Sequence, residues 1–184
     1  MNTEYEIRVL EIDKEKLIKK LEELGAEFKG DNEQKRYVYD IIPKEDGKWI
    51  RLRTNGRKTT LTYKNVVKTT IDGTKELEVE VSDFEKTNEL LENMGIKSRG
   101  YQENKRTQYI LNGVEIDIDS WPMIPTYVEI EGKNEEEVMN TLEILELPKD
   151  KVTTLDVDSV YKKYGIDLKA VSYTHLTLPT NSRV

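Results

Sequence analysis

Two hydrophobic periods alternate along this chain, one helical and one extended. Leu17, Ile18, Leu21 and Leu24 fall on one helix face, with Asp13 placed as N-cap and Gly25 as the stop. The same spacing predicts a second helix over residues 83–94, with Phe84, Leu90, Leu91 and Met94 as its stripe and Gly95 behind it. A third covers 134–145 with Val138, Leu142 and Leu145 inward. A short fourth covers 156–164 and carries Val157, Val160, Tyr161 and Tyr164. Alternating positions predict strands over residues 3–12, 35–42, 48–54, 59–65, 75–82, 103–111, 114–120 and 126–131. Asn55-Gly56 and Asn112-Gly113 are hairpin turn signals, and Gly47 after Glu45-Asp46 is another. Strand, helix ending in Leu-Gly or Met-Gly, then strands occurs twice, a weak internal echo of duplicated halves.

The polar sides of these strands are sorted by charge. From Glu4 to Val9, Tyr5, Ile7 and Val9 share one face while Glu4, Glu6 and Arg8 share the other. Ile50 and Leu52 oppose Arg51 and Arg53, and Thr62 falls with Lys64. Glu76, Glu78 and Glu80 separate from Leu77, Val79 and Val81. Glu115, Asp117 and Asp119 oppose Ile116 and Ile118, and Glu129 and Glu131 oppose Val128 and Ile130. Any one such strand needs no more than water on its polar face. Together they are acidic on some strands and basic on others, and their apolar faces supply the surface that the helical stripes require. The pattern predicts an α+β fold: an antiparallel, largely closed eight-stranded β-barrel with a charged lumen and helices packed outside. In such a lumen, arginine and lysine hold phosphate oxygens, and clustered carboxylates hold hard cations such as Mg²⁺ or Mn²⁺. A triphosphate needs both.

Composition narrows the chemistry. The 184 residues suffice for one domain with a real core. Cysteine is absent, which excludes disulfides, thiolate metal sites and cysteine nucleophiles. A net charge of −7 argues against nucleic acid as a partner, so a bound polyanion must meet locally concentrated positive charge or metal. No signal peptide and no bilayer-spanning run is read, so a cytoplasmic protein without membrane association is expected. The single histidine, His175, lies in a segment over 172–184 where Thr, Pro, Ser and Asn replace the acidic, Lys-rich composition before it. The working domain is therefore expected to cover 1–171. The tail is expected to be disordered and dispensable, and it resembles translated adapter sequence. Without it no histidine remains, and acid–base work falls to carboxylates, lysine, tyrosine or metal-bound water.

Seven features, in order over residues 2–164, carry a resemblance. They are Glu4-x-Glu6-x-Arg8, the Arg51/Arg53 pair, Lys64 after Thr62, Glu78-x-Glu80, Arg106, the acidic strand ending in Asp119, and Glu129-x-Glu131. As a set they resemble the CYTH family, which contains class IV adenylyl cyclases, thiamine triphosphatases and inorganic tripolyphosphatases built as triphosphate-tunnel metalloenzymes. The resemblance implies that Glu4, Glu6, Glu129 and Glu131 bind Mg²⁺ or Mn²⁺, and that Arg8, Arg51, Arg53, Lys64 and Arg106 bind the triphosphate of a small molecule. It implies a catalytic place for Arg8 and Asp119, and supporting acids at Glu78, Glu80 and Asp117. Two departures stand out. Arg8 replaces the usual lysine and is less able to donate a proton. The late basic strand, often K-x-R, reads Asn104-Lys105-Arg106, which gives Lys105 the wrong parity to share a face with Arg106 unless a bulge intervenes.

Three activities fit this inventory. In the first, favoured, a metal-held water attacks a terminal phosphorus of inorganic tripolyphosphate, thiamine triphosphate or a nucleoside triphosphate. In the second, the ribose 3′-hydroxyl of ATP attacks the α-phosphorus to give cyclic AMP. Neither a P-loop nor the His-Phe dipeptide found near the start of some cyclases of the family is present. The third is a non-catalytic module for a phosphorylated ligand; acids retained in both the first and last motifs argue against it. The sequence leaves open the substrate, the preferred metal and whether the chain forms a homodimer.

Overall fold

Capping side chains decide where the helices start. Asp13, Asp83, Asn134 and Asp156 sit in extended backbone, and each accepts a hydrogen bond from the N–H three residues on. In the computed structural model, which describes residues 1–168 and 173–174, these caps open α1 (Lys14–Glu23), α2 (Phe84–Asn93), α3 (Glu135–Ile144) and α4 (Val157–Lys163). Gly25 and Gly95 take positive φ just past α1 and α2, and Ala26 N–H and Ile96 N–H close back onto Leu21 and Leu91 carbonyls. After α3 the same left-handed position is taken by Glu146 at φ 54°.

Eight strands form the wall: β1 (Asn2–Val9), β2 (Glu27–Asp40), β3 (Lys48–Thr54), β4 (Thr59–Val66), β5 (Thr74–Glu80), β6 (Ser98–Leu111), β7 (Val114–Ser120) and β8 (Tyr127–Gly132). Their order is β6-β2-β3-β4-β5-β1-β8-β7, and β7 pairs back to β6, so the sheet closes. Every pairing within this ring is antiparallel. Asn112 and Gly113, both at positive φ, make the two-residue turn between β6 and β7. Two short strands lie outside the ring: β9 (Val152–Thr153) pairs with β1, and β10 (Tyr173–Thr174) runs parallel to β6. No described helix is long and apolar enough to cross a membrane. The expected domain end and tail fall on residues 169–172 and 175–184, which, apart from β10 between them, lie outside the described residues.

Two strands are longer than their sequence signal. β2 and β6 have 14 residues each and pair from Glu27↔Ile110 to Tyr39↔Ser98. Residues 27–34 carry no apolar alternation, and backbone pairing alone defines them as strand. β1 is shorter than predicted, ending at Val9, and Glu11 turns the chain at φ 55°.

Most of the core lies outside the barrel wall. Ile7, Val9, Ile116, Ile118, Val128 and Ile130 face outward and pack under Leu17 and Leu21 of α1 and Val138, Leu142 and Leu145 on or just after α3. A second cluster joins Trp121, Ile124 and Tyr127 to Val160 and Tyr161 of α4. A third joins Tyr39 and Leu52 to Leu91 of α2, with Tyr37 stacked on Phe84. The α2 stripe differs from expectation, because Leu90 and Met94 are exposed and Asn88 instead accepts a hydrogen bond from the Tyr39 hydroxyl. On β5, Leu77 and Val79 also stay exposed, so part of the outer wall lacks helical cover.

This division of cover sets a stability contrast. Ile130→Ala, at a fully buried position under α3, should cost about 2–5 kcal/mol in urea unfolding. Leu77→Ala, at 56 % exposure, should change stability by no more than about 0.5 kcal/mol. Equal losses would mean that the outward faces are not the core.

Candidate functional site

Once the apolar side of each strand is claimed by the helices, its alternate residues must point into the barrel. They converge on one cavity of about 320 Å³. β1 contributes Glu4, Glu6 and Arg8; β3 contributes Arg51 and Arg53; β4 contributes Lys64. β5 adds Glu76 and Glu78, β6 adds Arg106, β7 adds Glu115 and Asp117, and β8 adds Glu129 and Glu131. Among the described residues Val157 is the one apolar residue lining this cavity, and an adjoining pocket that shares Glu4, Glu6, Arg8 and Lys64 adds Trp49, Val66, Ile71 and Leu155.

The acids of β1 and β8 form one pole. Glu6 faces Glu131 in register across the strand pair, and Glu4, Glu6 and Glu131 each place a carboxylate oxygen within 4.8 Å of the other two. Burial, then the Glu6 and Glu4 charges, pushes the Glu131 carboxyl up to about 8. Glu4 and Glu6 are raised as well, again chiefly by burial. Lys64 offsets part of this charge, donating to both oxygens of Glu4 at 2.7 and 2.9 Å and standing 3.4 Å from Glu76. A compact set of hard oxygen donors whose charges oppose one another fits a divalent cation such as Mg²⁺ or Mn²⁺.

Glu129 sits elsewhere. It lies between Arg8, whose Nε donates to it at 2.8 Å, and Arg106, whose Nη2 donates to it at 2.5 Å. Burial alone would raise its pKa, yet the two guanidiniums hold it well below the usual carboxylate range. Arg8 also meets Glu6 at 2.5 Å and donates to the Leu155 carbonyl at 2.7 Å. Arg106 is clamped further by Asp119 and Asp117. Asp119 is fully buried and also accepts from Asn104 at 2.9 Å. Asp117 is pushed up to about 7 by burial despite Arg106, with Asp119 and Glu129 adding to the rise. The middle of the lumen is thus a braced lattice of two arginines and four carboxylates, Glu6 included.

The opposite wall is basic. Arg36 of β2 faces Arg53 of β3 in register, and Arg51 comes next along the same face. Arg51 has Glu78 at 3.8 Å. Among the described residues, Arg36 and Arg53 have no carboxylate within 4.0 Å. Neighbouring Arg51, then burial, pulls the Arg53 guanidinium down to about 10. Like charges opposed in register destabilise a sheet, so this wall suits an anion.

The sequence-predicted residues therefore divide. Arg51, Arg53 and Glu78 meet on the basic side, where the Thr62 hydroxyl donates to Glu78 at 2.7 Å. Arg8, Arg106, Asp117, Asp119 and Glu129 form the middle lattice, and Glu4, Glu6, Glu131 and Lys64 form the acidic pole. Glu80 stands apart at the rim, 68 % exposed and 3.8 Å from Lys58. No bulge rescues Lys105, which points outward to Glu33 at 3.4 Å while Asn104 is buried within. Sequence reasoning missed Arg36 and Gln34 as lining residues, and it put Glu76 and Glu115 on charged strand faces without giving them a role. Parity could have found Arg36, because Tyr37 and Tyr39 are claimed by the outer cluster and force Arg36 inward.

With this geometry in hand, comparison with known proteins is informative. The CYTH domain family model matches residues 2–155. A Methanocaldococcus jannaschii protein provisionally named an adenylate cyclase is 28 % identical over 162 residues, covering 81 % of this chain and 93 % of its own. The solved PH1012 protein of Pyrococcus horikoshii superposes with a TM-score of 0.73 at 28 % identity, over 83 % of this chain and 96 % of its own. A Hippeastrum protein, provisionally named an adenylyl cyclase and described as having a dominant triphosphatase activity, shares the fold. Its TM-score is 0.58 at 15 % identity, over 100 % of both chains.

The acidic pole makes a pH prediction. Glu131, with its ordinary value of 4.5 raised to about 8, keeps in the folded state a proton that the unfolded chain releases. Asp117 acts in the same direction up to about 7. Between these limits the unfolded state binds fewer protons, so stability falls as pH rises. Thermal unfolding in EDTA should show a falling midpoint from pH 5 to 8.5, and Glu131→Gln should flatten that fall. A wild-type midpoint that rises across the same range would contradict the assignment of this pole.

Proposed function

The chain belongs to the CYTH domain family, and from that premise we propose that it is a divalent-metal-dependent hydrolase of a triphosphate held inside the barrel. The observation that carries this reading is the separation of charge within one cavity. A basic wall at Arg51 and Arg53 faces an acidic pole at Glu4, Glu6 and Glu131, with a rigid lattice between them. A triphosphate and a cation answer both unbalanced charges at once.

Each group then has a role that its surroundings favour. Arg51 and Arg53 bind and orient phosphate oxygens, since nearly all of their charge is uncommitted. Arg8 and Arg106 are fixed by Glu6, Glu129, Asp117 and Asp119 and present their remaining charge to the reacting phosphoryl group. Asp119 acts by holding Arg106, because its oxygens are already engaged by Arg106 and Asn104. Lys64 orients Glu4 rather than standing free for phosphate. Glu4, Glu6 and Glu131 hold the cation, which when bound supplies Lewis-acid polarisation of the phosphate and of water. Attack of water on the terminal phosphorus breaks its bond to the bridging oxygen, and the shortened phosphate chain leaves.

A polar lining favours hydrolysis of a small polyanion over nucleotide cyclisation. A base and ribose want apolar or aromatic surface; beside the basic wall Val157 alone is apolar among the described lining residues, and a nucleoside would have to sit in the adjoining pocket, which shares Glu4, Glu6, Arg8 and Lys64 and carries Trp49, Val66, Ile71 and Leu155. Cyclisation of ATP is the second reading, favoured by the name of the Methanocaldococcus jannaschii relative.

Incubation with tripolyphosphate, thiamine triphosphate and ATP in Mg²⁺ or Mn²⁺, followed by product analysis, separates these readings. Hydrolysis gives orthophosphate, cyclisation gives cyclic AMP and diphosphate, and binding without turnover would overturn both. Excess EDTA should abolish turnover. Arg53→Ala should lower kcat/KM by about 2–4 kcal/mol of transition-state stabilisation. The same variant should melt no lower than wild type without ligand, because Arg53 is repelled by Arg51 and lacks a carboxylate partner. A stable variant with unchanged kcat/KM would remove Arg53 from the site.

A further inference from the structure

We infer that Arg36, a residue outside the seven-feature set, is a phosphate ligand of the tunnel and completes a three-arginine wall with Arg51 and Arg53. The inference rests on the triphosphate reading above and deepens it, since three adjacent cations call for an anion with several phosphoryl groups.

The argument begins from what Arg36 touches. Its side chain lies inside the barrel with the residue 5 % exposed. Nη2 donates to Gln34 Oε1 at 2.9 Å and to Asn104 Oδ1 at 2.5 Å, both neutral amides. The guanidinium carbon stands 4.5 Å from the centre of the Trp121 ring. Among the described residues, Nε is buried without a hydrogen-bond partner, as is Nε of Arg51. These contacts fix the plane of the guanidinium without neutralising it. Arg8 and Arg106, the other arginines of the tunnel interior, are by contrast each gripped by at least two carboxylates.

A purely structural role explains this poorly. Burying a charge without a counter-ion is costly, and an uncharged side chain would pack on Trp121 and meet the two amides at lower cost. Burial first, then Arg51, Arg53 and Arg106, lowers the Arg36 guanidinium to about 9. The wall is thus preorganised and under-neutralised, which is the condition in which an anion gains most from a fixed donor. Its place on β2 also matters. Gln102 of β6 stands in register with Arg36 and Asn104 follows on the same face, with Arg106 farther along opposite Asn32, so Arg36 provides a cation where the nearest inward residues of its neighbouring strand are amides.

Isothermal titration with inorganic tripolyphosphate, in EDTA and again with Mn²⁺, tests this. Arg36→Gln should weaken binding roughly tenfold to a hundredfold, the scale of a lost charge-assisted contact. Arg36→Lys, which keeps the charge but not the fork, should lose clearly less. Lys105→Gln, an equal change of net charge on the outer surface, should bind as wild type. Circular dichroism confirms folding, and if Arg36→Gln does not fold, Arg36→Lys carries the test through a weaker, measurable loss. Equal losses for Gln and Lys would mark Arg36 as a packing residue on Trp121, and wild-type affinity in Arg36→Gln would also overturn the inference. In both cases the function reading survives. If wild type binds tripolyphosphate neither with nor without Mn²⁺, the function reading itself fails.

Discussion

Of the like charges that face each other in register inside this barrel, two pairs mark its poles: Arg36 against Arg53, and Glu6 against Glu131. Neither pair would persist on an open sheet without water or counter-ions to screen it. Closure of eight strands leaves them no escape, because the outward faces are covered by α1 and α3 and partly by α2, while α4 packs on Trp121 and the inward Tyr127 at one end of the lumen. The fold's apolar exterior core therefore stabilises a polar interior that opposes it. A tunnel built in this way suits ligands that bring the missing charges, a polyanion for one wall and a hard cation for the other.

The middle lattice keeps the two poles from collapsing onto each other. Were Arg106 free to reach the acidic pole as Arg8 reaches Glu6, or Glu129 free to reach the basic wall, internal ion pairs would satisfy both and leave nothing for a ligand. Glu129 instead binds both arginines, and Asp117 and Asp119 hold Arg106 on its other side. Such buried pairs add little net stability against apolar packing of the same volume. What they provide is fixed geometry, and they set the separation between the acidic pole and the basic wall. The cap of the lumen belongs to the same lattice, since the Leu155 carbonyl that accepts from Arg8 lies just ahead of α4.

Much of this was legible in the chain because the periodicities are clean. The cap at Asp13 and the helical spacing from Asp83 and from Asn134 placed the long helices, and alternation from Glu4 to Val9 or from Val114 to Ser120 fixed which residues face inward. What stayed hidden has physical causes. Residues 27–34 become strand only because β6 pairs with them, a long-range event that leaves no local pattern. Leu90 and Met94 fit a helical stripe, but α2 meets the barrel along Phe84, Asn88 and Leu91. Motif order groups Glu129 with Glu131, yet alternation places both in the lumen without saying which neighbours they meet. Register against Arg8 gives Glu129 to the arginines, and register against Glu6 gives Glu131 to the acids. Arg36 escaped because its strand reads as aromatic rather than charged.

The division of the lumen into an acidic pole and a basic wall is tested most directly by diffraction from crystals grown with Mn²⁺ and tripolyphosphate, using the manganese anomalous signal. The expected result is a manganese peak among the carboxylates of Glu4, Glu6 and Glu131, with phosphate density against Arg51 and Arg53. A manganese peak between Asp117 and Asp119, or polyphosphate bound only on the outer surface, would contradict that division.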